Sequence, residues 1–145
     1  MATDLQLAYA AGIIDGEGCI RFYSFRQHRR LGLSWNLSLS VTNTDPRLMS
    51  WLMETLGTGK VVNKRMLGRK RPCYQWQVSA RQAEAVLRAI RPYLVIKADQ
   101  ADIGLASRAL VGRQQGRRRL SETEQAERIV LRDRMQVLKH AVREG

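Results

Sequence analysis

Asp15 and Glu17 are carboxylates two positions apart, at the point where the small-residue run Ala10-Ala11-Gly12-Ile13-Ile14 gives way to Gly16 and Gly18. Carboxylates present hard oxygens, and such a group at a junction with phosphate can hold a divalent cation. The plainer alternative is the end of a tightly packed helix whose acids are merely solvated. The elements on either side decide between these readings. Gly12 and Gly16 lie about one helical turn apart, so they leave a strip of backbone bare for a second helix to approach, together with Ala8. Gly18 is expected to permit a sharp backbone turn out of the helix.

The charge of the chain favours a polyanionic partner. Lys and Arg total 25 against 13 Asp and Glu, a net +12 in 145 residues. The excess is concentrated: between Gly18 and Glu84 the only acids are Asp45 and Glu54, while that segment carries twelve Lys and Arg. Solubility calls for mixed signs, so a segment nearly stripped of one sign is expected to face phosphate. Neither a long apolar run nor a signal peptide is present, which argues against a membrane partner and for an intracellular location whose host compartment the sequence does not specify. Cys19 and Cys73 lack metal-ligand spacing, so each reads as a small strand residue in a reducing compartment.

Thr3 and Gln6 have capping-box spacing, so a first helix is expected from near Asp4 to the carboxylates. Period-two alternation follows, with Ile20 and Phe22 on one face and Cys19, Arg21 and Tyr23 on the other. Residues 26–32, with Arg26, Arg29 and Arg30, read as a polar hairpin loop. Trp35, Leu37, Leu39 and Val41 then alternate with Asn36, Ser38, Ser40 and Thr42. Asp45-Pro46 starts a second helix over 46–56, stopped by Gly57. A second basic hairpin runs from Lys60, Lys64 and Arg65 through a loop with Arg69 and Lys70 to Tyr74, Trp76 and Val78, alternating with Gln75 and Gln77. Ser79 and Gln82 are expected to cap a third helix, and Lys97 to introduce a fourth. Ser121 and Glu124 cap a last helix with Ile129, Leu131, Met135 and Leu138 as its apolar positions.

The predicted class is α+β, in the order αββαββα with extra C-terminal helices. Residues 1–111 form the core domain, and residues 112–145 are a linker and a helix packed on it. Four antiparallel strands, apolar on one face and polar on the other, make a saddle with helices on one side. The open side would carry Arg21, Tyr23, Asn36, Ser38, Ser40, Lys60, Lys64, Gln75 and Gln77. A strand of ~8 residues spans ~27 Å at ~3.3 Å per residue, which is ~8 base pairs of duplex.

Residues 10–18 match, position by position, the motif of the LAGLIDADG homing endonucleases, and the chain resembles that family over roughly residues 5–110. Ala10 stands for the usual leucine, Ile13 for leucine, Gly16 for alanine and Glu17 for the second aspartate. The resemblance implies that Glu17, with the adjoining Gly16, holds the metal, expected to be Mg²⁺ with Mn²⁺ or Ca²⁺ able to occupy the same site, and that no small-molecule organic cofactor is used. Asp15 shapes the site. Three further positions match: a polar amide ending the second strand (Asn43), an arginine opening the next helix (Arg47), and a lysine after the proline-aromatic-leucine segment (Lys97). Their physical roles fit orientation of a water, binding of the scissile phosphate and stabilisation of the transition state.

One copy of the motif per chain implies that cutting both strands takes two chains. Packing through Ala8, Gly12 and Gly16 would bring two Glu17 side chains together across a two-fold axis, over a long pseudo-palindromic duplex site. The expected function is therefore a homodimeric, site-specific double-stranded DNA endonuclease of intron-homing type. The alternatives are a non-catalytic DNA-binding regulator and an RNA intron maturase on the same scaffold.

Overall fold

A reciprocal cap opens the first helix: Thr3 accepts from the Gln6 backbone while the Gln6 side chain accepts from the Thr3 N–H. The computed structural model of the protein, which describes residues 1–64, 71–112 and 118–144, places this helix, α1, at Asp4–Glu17. Ala10, Ala11 and Ile14 are its buried residues. The strands are β1 (Gly18–His28), β2 (Gly32–Asn43), β3 (Lys60–Lys64) and β4 (Cys73–Ser79), and the further α-helices are α2 (Pro46–Leu56), α3 (Ala80–Ile90), α4 (Ala98–Gly112) and α5 (Glu122–Glu144). All pairings are antiparallel in the order β1-β2-β4-β3. This is the predicted α+β class. Among the described residues no helix is long and apolar enough to cross a membrane.

Alternation in β2 is complete, with Trp35, Leu37, Leu39 and Val41 buried. Leu37, Leu39 and Val41 join Ile20, Trp76 and Val78 beneath α1 to α4, and Met135 of α5 reaches the same core. A second cluster, Phe22, Trp35 and Leu120, lies under the β1-β2 hairpin. There the Trp35 indole donates to Gln125 at 2.7 Å, and the Gln125 amide donates to the Leu33 carbonyl at 3.1 Å, tying the hairpin to the start of α5.

Several expectations need correction. β1 continues through Arg26 to His28, leaving a turn of only three residues. Backbone pairing to β2 carries the strand through these polar residues, with an irregularity between Arg26 and His28. Ser79 does not cap α3. It completes β4 opposite Ser38, and the sharp strand-to-helix turn falls on Ala80, whose φ of 52° is left-handed. In α5 the buried side chains are Arg128 and Met135, while Ile129 is exposed. The helix phase follows Ser121-caps-Glu124 and the line Arg128, Leu131, Met135, which leaves Ile129 off the stripe. Arg128 is kept inside by donating to the Glu124 and Leu110 carbonyls.

Gly18 is needed for a reason other than the one expected. Its φ of −81° and ψ of 157° are ordinary extended backbone. A Cβ there would lie 2.7 Å from the Ile14 carbonyl oxygen and 2.8 Å from its Cα. The helix end folds back on itself so closely that only hydrogen fits. Gly18→Ala is therefore expected to destabilise the fold by about 1–3 kcal/mol, as overpacking does. Urea unfolding measures this, and an unchanged midpoint would show that the helix end relaxes freely.

Candidate nucleic-acid interface and catalytic centre

The end of α1 delivers Glu17 to the mouth of the sheet, exposed, where β2 ends on Asn43. The Asn43 amide Nδ2 donates to both Glu17 oxygens, at 3.1 and 2.9 Å. Its Oδ1 accepts the Asp45 N–H at 2.8 Å. A backbone N–H can only donate, so this contact fixes which end of the amide faces Glu17.

Asp45 is the N-cap of α2 and accepts the Arg47 N–H at 2.9 Å. The same carboxylate takes the Arg47 guanidinium in a two-pronged pair, Nη2 to Oδ2 at 2.7 Å and Nε to both oxygens at 3.1 Å. The Arg47 hydrogen bonds hold the Asp45 carboxyl down to about 2. Glu17, Asn43, Asp45 and Arg47 thus form one continuous chain of contacts. Among the described residues, Arg47 is joined to Glu17 only through this chain.

Lys97 approaches from the other side of the helix end. Its ammonium donates to the carbonyls of Ile14 and Gly18, which bracket Glu17 in sequence. Burial lowers the amine from its ordinary value, with nearby Lys139 acting in the same direction and Cys19 and Asp15 opposing. The Asp15 carboxylate receives the backbone N–H of Val95 at 2.9 Å and of Lys97 at 3.0 Å. It fixes the segment that carries Lys97.

Register puts the open face together layer by layer. Cys19, Ser40, Gln77 and Lys60 are successive cross-strand partners, as are Arg21, Ser38 and Ser79. Tyr23 pairs with Asn36, and the Asn36 amide donates to the Tyr23 hydroxyl at 3.3 Å. The Arg21 guanidinium sits 4.8 Å from the Tyr23 ring centroid. Gln75 pairs with Thr42 and donates to its hydroxyl at 3.3 Å. Lys64 closes β3 opposite Cys73. A polar hollow of about 560 Å³ lies over Tyr23, Asn36, Ser38, Ser40, Lys60 and Gln77.

Arg26 is an exception to that face. It pairs with Leu33, on the side of Phe22 and Trp35, and is exposed at the hairpin end beside the turn residues Arg29 and Arg30. Arg65, Arg69 and Lys70 lie outside the described residues. The expected open side leaves out Phe25, Thr42 and Ser79, although Thr42 reads on the polar face of its strand, and Asp45 reads only as a helix start. Phe25 pairs with Ser34 and packs 6.2 Å from Tyr23. The parity of Tyr23, Ser40 and Gln77 was the signal that would have found the first three.

On α1, Gly12 and Gly16 are exposed and a Cβ on either would meet nothing within 4 Å, while Ala8 is half-buried. Leu5 and Tyr9 on the same helix are 85% and 61% exposed, and Val95 and Ile96, in the segment held by Asp15, are 81% and 60% exposed.

Among the described residues no three His, Cys, Asp or Glu side chains converge as a metal cage. Glu17 nevertheless offers a carboxylate, and Gly16 belongs to the last helical turn, whose carbonyls have no following N–H within the helix. Both are oxygen donors of the kind that Mg²⁺ and Ca²⁺ take, and a site with so few protein ligands leaves room for water and phosphate. The donor set fits such a metal with water and phosphate completing its shell.

No protein-family model and no curated protein matches the sequence. Solved structures do match the fold. The homing endonuclease I-CvuI, in complex with its target in the presence of Ca, superposes with a TM-score of 0.78 at 25% identity, over 92% of this chain and 82% of that one. The archaeal intron-encoded homing endonuclease I-Vdi141I complexed with DNA gives 0.77 at 16% identity, over 93% and 84%. The homing endonuclease I-TnaI gives 0.69 at 15% identity, over 99% of both chains. With the motif-like stretch of residues 10–18 at the end of α1 and this αββαββα frame around it, the chain has the fold of these homing endonucleases and resembles the LAGLIDADG family.

Proposed function

We propose that the protein is a metal-dependent, site-specific endonuclease of double-stranded DNA that works as a homodimer. The observation that carries this reading is the exposed Glu17 carboxylate, oriented by Asn43 at the junction between a bare-backbone helix and an open polar sheet face. I-CvuI and I-Vdi141I, whose folds are similar, are seen with DNA.

Glu17 and the Gly16 carbonyl are the groups that would hold Mg²⁺. Bound there, the metal would neutralise charge on the scissile phosphate and make a bound water more acidic. Asn43 keeps both Glu17 oxygens in one orientation. Arg47, its side chain 90% exposed, binds phosphate at the start of α2. Lys97, whose amine is held below the ordinary lysine range by burial, stabilises developing negative charge. Open-face side chains from Arg21 to Gln77 read one half-site, and the two-fold partner reads the other.

Homodimerisation is supported by the exposed apolar patch of Leu5, Tyr9, Val95 and Ile96 around the open glycine strip. Selection from a random duplex library in Mg²⁺ tests the whole reading. Cleaved fragments are expected to carry two related, inverted half-sites. Sites that are retained but never cut would leave a regulator, and preferential retention of structured RNA would point to a maturase.

A further inference from the structure

Asp45 has more contacts than a helix cap needs. Its N–H fixes the Asn43 amide, its Oδ1 caps α2, and both its oxygens receive the Arg47 guanidinium. Pro46 at the first helical position sets the backbone on which these contacts depend. An exposed ion pair of this kind contributes only about 0–1 kcal/mol, so stability does not account for it. Orientation does. A guanidinium has five N–H donors in a rigid plane. Asp45 engages the Nε edge and one side of Nη2, which turns the Nη1 edge outward on a side chain that is 90% exposed. That outer edge can still take a phosphate through two hydrogen bonds.

We propose that Asp45 is a positioning residue of the site: it holds Arg47 by one edge so that the other meets the scissile phosphate, and through its N–H it holds Asn43 against Glu17. The inference rests on the nuclease reading above. It also implies that the Asp45–Arg47 pair survives DNA binding, with phosphate joining the pair and not replacing Asp45.

Asp45→Ser separates the two roles, because serine still caps α2 but cannot grip a guanidinium. Single-turnover cleavage by Asp45→Ser is expected to fall about 10- to 100-fold, the scale of a misplaced catalytic contact, with the folded state and DNA affinity retained. In an Arg47→Ala background the same change is expected to cost little more, since its target is gone. An equal loss in both backgrounds, or no loss in the first, would overturn the proposal. A second readout does not need cleavage. The Arg47 Nε–H signal in nitrogen-edited NMR is expected to be protected from exchange in the free protein and in the DNA complex, and lost in Asp45→Ser. Loss of that signal when DNA binds would mean that phosphate displaces Asp45, and would refute it. A wild-type protein that binds without cutting would sink the nuclease reading, and the NMR result would still decide the role of Asp45.

Discussion

Replacement of Glu17 by glutamine is expected to abolish DNA cleavage and leave DNA binding nearly intact. The substitution keeps size and hydrogen-bonding capacity: the new amide oxygen can still accept from Asn43 Nδ2, as the carboxylate does at 2.9 and 3.1 Å. Glu17 is exposed and outside both apolar clusters, so the change in stability should stay within about 0.5 kcal/mol. What disappears is the charge. Loss of the metal removes several kcal/mol of transition-state stabilisation, which is about 1,000-fold or more in rate. Binding is measured by gel shift on a selected site, and cutting by strand scission on the same DNA. Cleavage that persists in the variant would remove Glu17 from the metal site.

The second large effect concerns assembly. Gly12→Leu places a bulky side chain on the bare strip of α1, where the present fold has nothing within 4 Å of the Cβ position. The monomer has room for it, and a helix gains about 1 kcal/mol when glycine is replaced by a better helix former. A partner helix seated on that strip does not have room. The expected outcome is a folded monomer, at least as stable as the parent, that neither dimerises nor makes double-strand breaks. Gly16→Leu should behave alike in sedimentation, although its place beside Glu17 makes any loss of cutting ambiguous. A dimer of unaltered strength in Gly12→Leu would show that the strip lies outside the interface.

Much of the frame is legible in sequence because it depends on local chemistry. The Thr3–Gln6 cap, the Asp45-Pro46 start and the left-handed Gly57 stop are encoded by adjacent residues, and all three are present. The strict alternation of β2 reads equally well, because that strand lies in the middle of the sheet with helices on one side only. The hairpin end was illegible for the opposite reason. Residues 26–28 carry no apolar alternation, and their pairing is irregular between Arg26 and His28.

The buried face of α4 was obscured in another way. It consists of Gln100, Ala101, Gly104 and Ser107, small or polar residues that allow close packing and give no apolar stripe to read. The candidate site divides along the same line. Glu17, Asn43, Arg47 and Lys97 came from resemblance to a family, and the contacts of Glu17 and Lys97 cross long intervals of chain. Glu17 and Asn43 are 26 residues apart, and Lys97 meets carbonyls about 80 residues away. Nothing in local spacing announces those contacts. Asp45 shows the limit most clearly, since its sequence context explains a cap while only the folded chain reveals its grip on Arg47.

The central claim is that one carboxylate per chain and two chains per site make the break. The measurement that tests it most directly is a stoichiometric titration of the protein against a fixed concentration of its selected duplex in Mg²⁺, scoring both strands of each product. The account predicts that double-strand cleavage rises to a plateau at two chains per site, with both strands cut. A plateau at one chain per site, or full occupancy without scission, would contradict it.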